Sequence, residues 1–456
     1  MVYPILFLAL LLRVINLNQS LWLDEGTSAI LARDFTFGRI LTEFSPGDFH
    51  PPFYYLTLKA WAGFLGYSEI ALRSLSVFFG LGSIYLTYLI GKKLLGKRVG
   101  IISALFLATS GLHIYYSHEA RMYMMSLFLV TALFYFFLKI LEEKRVTYWV
   151  VFAILLLVNG LTDYLPNLII VVFFVYAFLI KKNKSWWRNF LLSFTPLLLG
   201  FFFFLPTLAR QLASGLGVAT SAPNWWQVLG KTSLKELALI PIKFAIGRVS
   251  FLDKRLYALI VGGILAIYAL IFLRLRNFKD KKLQLIWLWL VVPMFLAAVL
   301  GLRISVFSYF RLIFVLPAFF ILLAAGIVRL NRRFFVPAFV FILLVNVISS
   351  SAYLFNPRFQ REDWRGAASF IKKESKGNSA VVFVRSQTEA YKYYAKDAKI
   401  ALPEELDRSL DEVWLMRYVQ PIFDPEDTVR KRVEGLGFEK AREYDFDGVV
   451  VWRYQK

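Results

Sequence analysis

Apolar runs of bilayer-spanning length recur along this chain as far as residue 353, and they restrict its fold before any motif is considered. Approximate spans are 1–18, 71–91, 99–116, 122–141, 147–162, 165–180, 190–209, 256–274, 284–302, 311–330 and 334–353. A hydrocarbon core of about 30 Å is crossed by roughly 20 helical residues, and only helices or closed barrels satisfy their backbone groups within it. A hydrophobic content of 58% over 456 residues agrees with that reading, since soluble domains average roughly 45–50%. The expected architecture is a polytopic α-helical membrane protein of about 11 helices over residues 1–353, with a small soluble α/β domain over 354–456.

A net charge of +22 first suggests nucleic acid, so its placement decides. From Tyr353 onward there are 19 Lys/Arg against 18 Asp/Glu; of the chain's 53 basic and 31 acidic residues, 34 and 13 therefore precede it. The basic residues cluster in short loops: Lys92 to Arg98, Lys144-Arg145, Lys181 to Arg188, Arg274 to Lys282 and Arg329 to Arg333. This is a positive-inside signature and not a nucleic-acid footprint. An odd number of spans puts the termini on opposite sides. Placing all five clusters in the cytoplasm puts the N-terminus inside and residues 353–456 outside the cell membrane. The N-terminus has a signal-like apolar stretch (Pro4 to Leu12), but no basic n-region and no small-x-small site before Asp24, so it reads as a retained first helix. Cysteine is absent, which excludes disulfides and thiolate-bound metals.

Two outer loops are long. Residues 19–70 carry amphipathic stretches at Gly26–Phe35 and Phe53–Phe64, suited to the interface plane. Residues 210–255 contain Gly215, Gly217, Ser221, Pro223 and Trp225-Trp226 and read as a mobile flap with interfacial aromatics. In the tail, helical patterns at Asp363–Lys373, Glu389–Ala395 and Glu426–Gly435 alternate with strands at Ala380–Arg385, Glu412–Tyr418 and Gly448–Tyr454.

The chemistry gathers at the outer ends. Asp24-Glu25 follows the first span, and ionisable groups at membrane depth are costly enough to imply function. The pair reads either as a cap for the helix from Gly26 or as a general base or metal ligand handling a hydroxyl. Adjacent helical residues point apart, so one carboxylate works while the other caps. His50, before Pro51-Pro52 and two residues from Asp48, is a candidate for cation or phosphate contact, or simply opens a rigid turn. In Tyr115 to Tyr123, Glu119 and Arg121 either neutralise each other or meet an anionic partner; His118, Tyr116 and Tyr123 flank them. Arg303 and Arg311 break the charge rule at outer helix ends, as phosphate contacts or as snorkels to head groups.

Taken together these residues resemble the GT-C class of membrane glycosyltransferases, specifically the group holding dolichyl-phosphate-mannose protein mannosyltransferases and the lipid A aminoarabinose transferase. The matching pieces are Arg13 before Trp22-Leu23-Asp24-Glu25, His50-Pro51-Pro52-Phe53-Tyr54-Tyr55, Ser68-Glu69-x-x-x-Arg73, Tyr116-x-x-Glu119-Ala120-Arg121-x-Tyr123, Arg311 with Leu316-Pro317, and Glu362-Asp363-Trp364-Arg365. The resemblance implies a polyprenyl- or dolichyl-phosphate sugar donor and a lipid, glycan or protein acceptor. It implies that Asp24 activates the acceptor, with inversion at the anomeric carbon; Glu25, as helper or cap, and Glu119 stand beside it as candidate catalytic carboxylates. Substrate binding would fall to His50, Tyr116, His118, Arg121, Tyr123, Arg303 and Arg311, with Arg121 and Arg311 neutralising the phosphate. Some members use a divalent metal cation, for which Asp24, His50 and Glu119 are the candidate ligands. The alternative class is a transporter or lipid flippase, whose ionisable sites sit near the midplane.

Overall fold

The computed structural model describes residues 2–221, 230–275, 279–384 and 388–456. Six apolar helical runs are long enough to cross a membrane: Glu69–Leu95, Tyr123–Glu142, Lys184–Gly215, Lys254–Leu273, Lys281–Leu300 and Arg332–Phe355. A seventh is the pair Lys97–Thr109 and Gly111–Ser117, bent by 60°. The four remaining predicted spans correspond to shorter apolar helices, Tyr3–Val14, Val146–Gly160, Leu165–Leu179 and Ile313–Val328. Among the described residues, length and composition thus mark six or seven spans where the hydropathy pattern predicts 11.

The basic loops meet at one end of the bundle. Lys93 pairs with Glu142 (2.5 Å), the Lys182 ammonium donates to Leu141 O (2.6 Å), and the Trp186 indole donates to Ile140 O (2.9 Å). Arg329 reaches Asp280 at 3.4 Å.

At the other end a buried polar cluster joins three helices. Arg13, fully buried, donates to Ala9 O (2.8 Å), Ala108 O (3.1 Å) and Ser117 Oγ (3.1 Å), and lies 2.7 Å from His113 Nδ1. Each acceptor is uncharged, and together they replace the water a guanidinium would lose. Gly80 makes the room: a Cβ there would stand 2.8 Å from Ser117 Oγ. The break at Ser110, whose hydroxyl accepts from His113 N–H, redirects the chain so that Tyr115 to Arg121 runs along this end of the bundle.

The predicted interfacial stretches are helices Leu23–Asp34 and Phe53–Leu65. Around the predicted flap, residues up to Ser221 continue the Thr195–Ser221 helix, and Leu234–Ile246 is helical again. Gln211 donates to Ser45 O (2.7 Å) and His50 O (3.0 Å), so this stretch is docked on the first loop. Pro223, Trp225 and Trp226 lie outside the described residues.

The tail holds a five-stranded sheet in the order β2-β1-β3-β5-β4: β1 (Ser379–Phe383), β2 (Ile400–Ala401), β3 (Glu412–Met416), β4 (Glu439–Phe446) and β5 (Val449–Gln455). β1 runs parallel to β2 and β3, while β5 runs antiparallel to β3 and β4. Period-two alternation covers both faces. Val381, Phe383, Trp414 and Met416 pack with Trp364 and Ile371; Ala380, Val382, Val413 and Leu415 pack with Val429 and Val433. Strands β2 and β4 were not legible in the sequence, β2 being two residues long and β4 a charged, mostly exposed edge. Charge on an edge strand blocks pairing with other chains, and it also erases the hydrophobic alternation.

Helix Leu23–Asp34 carries the tail. Leu23 belongs to the apolar core of the sheet domain, Leu21 N donates to the Tyr394 hydroxyl (2.7 Å), and that hydroxyl donates to Glu69 (3.0 Å). The helices touch at Gly26, where a Cβ would fall 2.4 Å from Ala390 Cα. Gly26→Val is therefore expected to unseat the tail, accelerating tryptic cleavage in the 356–363 linker. Gly63→Val, with open space around Gly63, is the control; equal cleavage of both variants would reject the contact as the seat.

Candidate active site

Two neighbouring carboxylates have opposite environments. Successive helical residues are turned by about 100°, so Glu25 points inward and Asp24 outward. Glu25 is fully buried against Arg73, with Nε to Oε1 at 2.8 Å and Nη2 to Oε2 at 2.6 Å. It also accepts from Ala120 N (2.7 Å) and Trp22 N (3.3 Å). The remaining Arg73 donors go to Leu17 O (3.0 Å), Gln19 O (2.6 Å) and Ser20 O (2.9 Å). Burial alone would raise the Glu25 carboxyl, but Arg73 outweighs it, helped by Arg361 and Ala120 N–H, and holds it below the usual range. Glu25 lies outside the cavity lining. Its carboxylate is committed to Arg73 and Ala120 N–H, so the residue expected to be catalytic is placed in the frame of the site and not on its wall.

Asp24 instead lines a cavity of about 780 Å³ between the tail and the end of the bundle opposite the basic loops. Its side chain is 38% exposed, with Oδ2 3.6 Å from Arg121 Nη2. Arg121 also donates from Nη1 to the Tyr55 hydroxyl (3.2 Å), while its Nε is buried without a partner. Asp48 and His50 stand 3.8 Å apart on the same wall. Burial would raise the Asp48 carboxyl, yet the neighbouring His50 and Arg121 hold it below its ordinary range.

Glu119 forms the opposite arrangement. It lines the cavity, is buried, and pairs with Arg361 at 2.8 Å. Burial pushes its carboxyl above the usual range, and Arg361 offsets this only in part. Arg361 stacks 4.0 Å from the Tyr115 ring centroid. Arg248 lies 4.5 Å from the same centroid and donates to the Tyr115 hydroxyl. Tyr116, Tyr123 and Phe310 form an aromatic wall, with ring centroids 5.2 and 5.7 Å apart. Arg311 completes the lining, and its Nε is buried without a partner.

Of the predicted site residues, Asp24, His50, Tyr116, Glu119, Arg121, Tyr123 and Arg311 therefore share one cavity. Two others do not. His118 is buried beneath it, donating from Nε2 to Arg13 O (2.9 Å) and accepting at Nδ1 from the Tyr353 hydroxyl (3.1 Å). Burial, with Arg73 and Arg13 nearby, pushes this imidazole down to about 3, so it is neutral and structural. Arg303 is exposed and outside the lining, as a snorkelling residue would be. Among the described residues no three His, Asp or Glu side chains converge on a possible metal position. Asp24 and Glu119 face arginines and His50 faces Asp48, so the candidate ligand trio does not fit a shared ion.

Sequence reasoning missed Arg248 and Arg361. Arg248 follows Gly247 (φ +65°), where a Cβ would stand 2.9 Å from Leu112 N, so only glycine lets the helix end against that segment. Arg361 immediately precedes the Glu362-Asp363-Trp364-Arg365 segment, the one signal that pointed near it.

A helical membrane domain with a cavity at the end opposite the basic loops and a small C-terminal sheet is the GT-C fold, shared with solved glycosyltransferases. ArnT from Cupriavidus metallidurans in the apo state superposes with a TM-score of 0.59 at 14% identity, covering 99% of this chain and 97% of that one. The same protein bound to undecaprenyl phosphate gives 0.60 at equal identity and coverage. The archaeal oligosaccharyltransferase AglB from Archaeoglobus fulgidus, in complex with an inhibitory peptide and a dolichol-phosphate, gives 0.57 at 12% identity, covering 99% and 74%. By sequence, residues 49–209 match the dolichyl-phosphate-mannose-protein mannosyltransferase family. No curated protein matches the chain by sequence.

The two carboxylates should separate cleanly in stability measurements. Arg73→Met or Glu25→Gln leaves a buried charge without its partner and is expected to cost about 3–5 kcal/mol. Asp24→Asn should shift the melting temperature in detergent by no more than an ordinary surface substitution. Equal destabilisation by all three would contradict this division.

Proposed function

We propose that this protein is an integral membrane glycosyltransferase moving a sugar from a polyprenyl- or dolichyl-phosphate donor to an acceptor hydroxyl on a lipid, glycan or protein. The observation that carries the reading is Asp24: a partly exposed carboxylate on the wall of a large cavity, beside buried arginines with unused donors. The fold shared with ArnT and AglB, and the family match over residues 49–209, support the same class.

In this mechanism Asp24 takes the proton of the acceptor hydroxyl. The oxygen attacks the anomeric carbon as the bond to the phosphate oxygen breaks, and the lipid phosphate leaves. A single displacement inverts configuration, and one free carboxylate suffices because no covalent glycosyl intermediate forms. Arginines around the cavity meet the charge that grows on the leaving phosphate, with Arg121 and Arg311 on the side of Asp24 and Tyr123. His50, held at its carbonyl by Gln211, and the Tyr116–Tyr123 wall shape the sugar and acceptor volume. No step is routed through a divalent cation.

The chemistry is assigned to the extracytoplasmic face of the cell membrane, because the five basic loops belong to the opposite, cytoplasmic side. Two experiments test these claims. With labelled polyprenyl-phosphate sugars and membrane acceptors, Asp24→Asn should lose about 10²–10⁴-fold in transfer rate with its melting temperature unchanged; full activity would remove the central claim. In intact cells residues 356–456 should be cleaved only by external protease, and cleavage from the cytoplasmic side would reverse the orientation.

A further inference from the structure

Two buried arginines in this protein are used in opposite ways. Arg73 spends all five N–H donors, on Glu25 and on the carbonyls of Leu17, Gln19 and Ser20. That is a guanidinium built into the frame. Arg361 is as deeply buried, its side chain 3% exposed, yet it donates from Nη2 to Glu119 alone and its Nε has no partner. A buried donor without a partner keeps its full desolvation cost, and here it lines a cavity open to a ligand that would complete it.

The surroundings say what. Arg248 stands on the same Tyr115 ring, 4.5 Å from the centroid against 4.0 Å for Arg361, and is exposed to the cavity. Among the described residues Arg248 has no carboxylate within ion-pair distance, and Glu119 is the ion-pair partner of Arg361. Two guanidiniums converging on one aromatic ring with a single carboxylate leave local positive charge facing the cavity. An anion with several oxygens, such as a phosphate ester, matches two planar forks better than one carboxylate does.

We propose that Arg361 is an anion-binding residue of the cavity, paired with Glu119 when no anion competes, and that a phosphate displaces Glu119 to bind Arg361 and Arg248 together. The inference rests on the donor class proposed above and extends it. Arg361 lies in the segment leading into the tail and is fixed there through its backbone N–H to Gln19 Oε1 (3.2 Å). The incoming phosphate thus meets a cation supplied by the tail side of the cavity.

The two partners of this ion pair should act with opposite sign, which a structural bridge would not produce. Binding of undecaprenyl phosphate and of inorganic phosphate to the full-length protein in detergent is measured for wild type, R361A, R361K and E119Q. Arg361→Ala should weaken binding at least about tenfold, the worth of one charge-assisted hydrogen bond. Arg361→Lys, which keeps the charge and loses the fork, should fall between and covers the case in which the alanine variant does not fold. Glu119→Gln should tighten binding by roughly threefold to tenfold by removing the internal competitor. If wild type binds undecaprenyl phosphate and the arginine variants bind it equally, or if Glu119→Gln weakens it, the proposal is overturned. Binding of inorganic phosphate alone, with the same order of variants, supports the anion site and removes the lipid-donor reading. Binding of neither probe removes both.

Discussion

The buried Glu25–Arg73 pair is the interaction on which the cavity end of this protein depends. Two charges withdrawn from water cost several kcal/mol each, recovered only when the geometry is good and every remaining lone pair and N–H is bonded. Here both conditions hold. Arg73 pins the turn at Leu17 to Ser20, Glu25 caps the helix that follows, and the same carboxylate accepts from Ala120 N. Three chain segments distant in sequence are thereby held at one point.

The placement of the reactive groups follows from that point. With Glu25 committed inward, Asp24 can only face the cavity, and with Ala120 fixed, Glu119 and Arg121 project to either side of the segment. The bend at Ser110 and the Arg13 cluster beneath it aim Tyr115 and Tyr116 at the same volume. The Glu25–Arg73 pair itself is fully bonded, whereas several buried polar atoms that line the cavity have no partner: Arg121 Nε, Arg311 Nε, Arg361 Nε and Ser308 Oγ. Such atoms are costly in a finished core and useful where a polar substrate completes them.

The tail is part of this arrangement. Leu23 packs in its core, Gly26 admits its helix, and Arg358 to Glu362 and Tyr418 form part of the cavity wall. The Tyr418 hydroxyl donates to Glu362 (3.1 Å), tying the sheet to the linker at the rim. A substrate in the cavity therefore touches the membrane domain and the sheet domain at once.

The apolar runs, the basic loops and the adjacent Asp24-Glu25 were legible in the sequence because bilayer length, the charge rule and desolvation cost act on local composition. The order of motifs sufficed to bring Asp24, His50, Glu119 and Arg121 together as candidates. What sequence could not decide was direction and partnership. That Glu25 is structural while Asp24 is free depends on Arg73, 48 residues away. That His118 lies beneath the site depends on Tyr353 and the Arg13 carbonyl. Arg248 and Arg361 entered the site only through the stacking of both on Tyr115, and β4 was hidden because an exposed edge strand carries charge where a core strand carries apolar residues. Composition along the chain determines which segments leave water; only the folded neighbours determine which charges are paired and which remain available for chemistry.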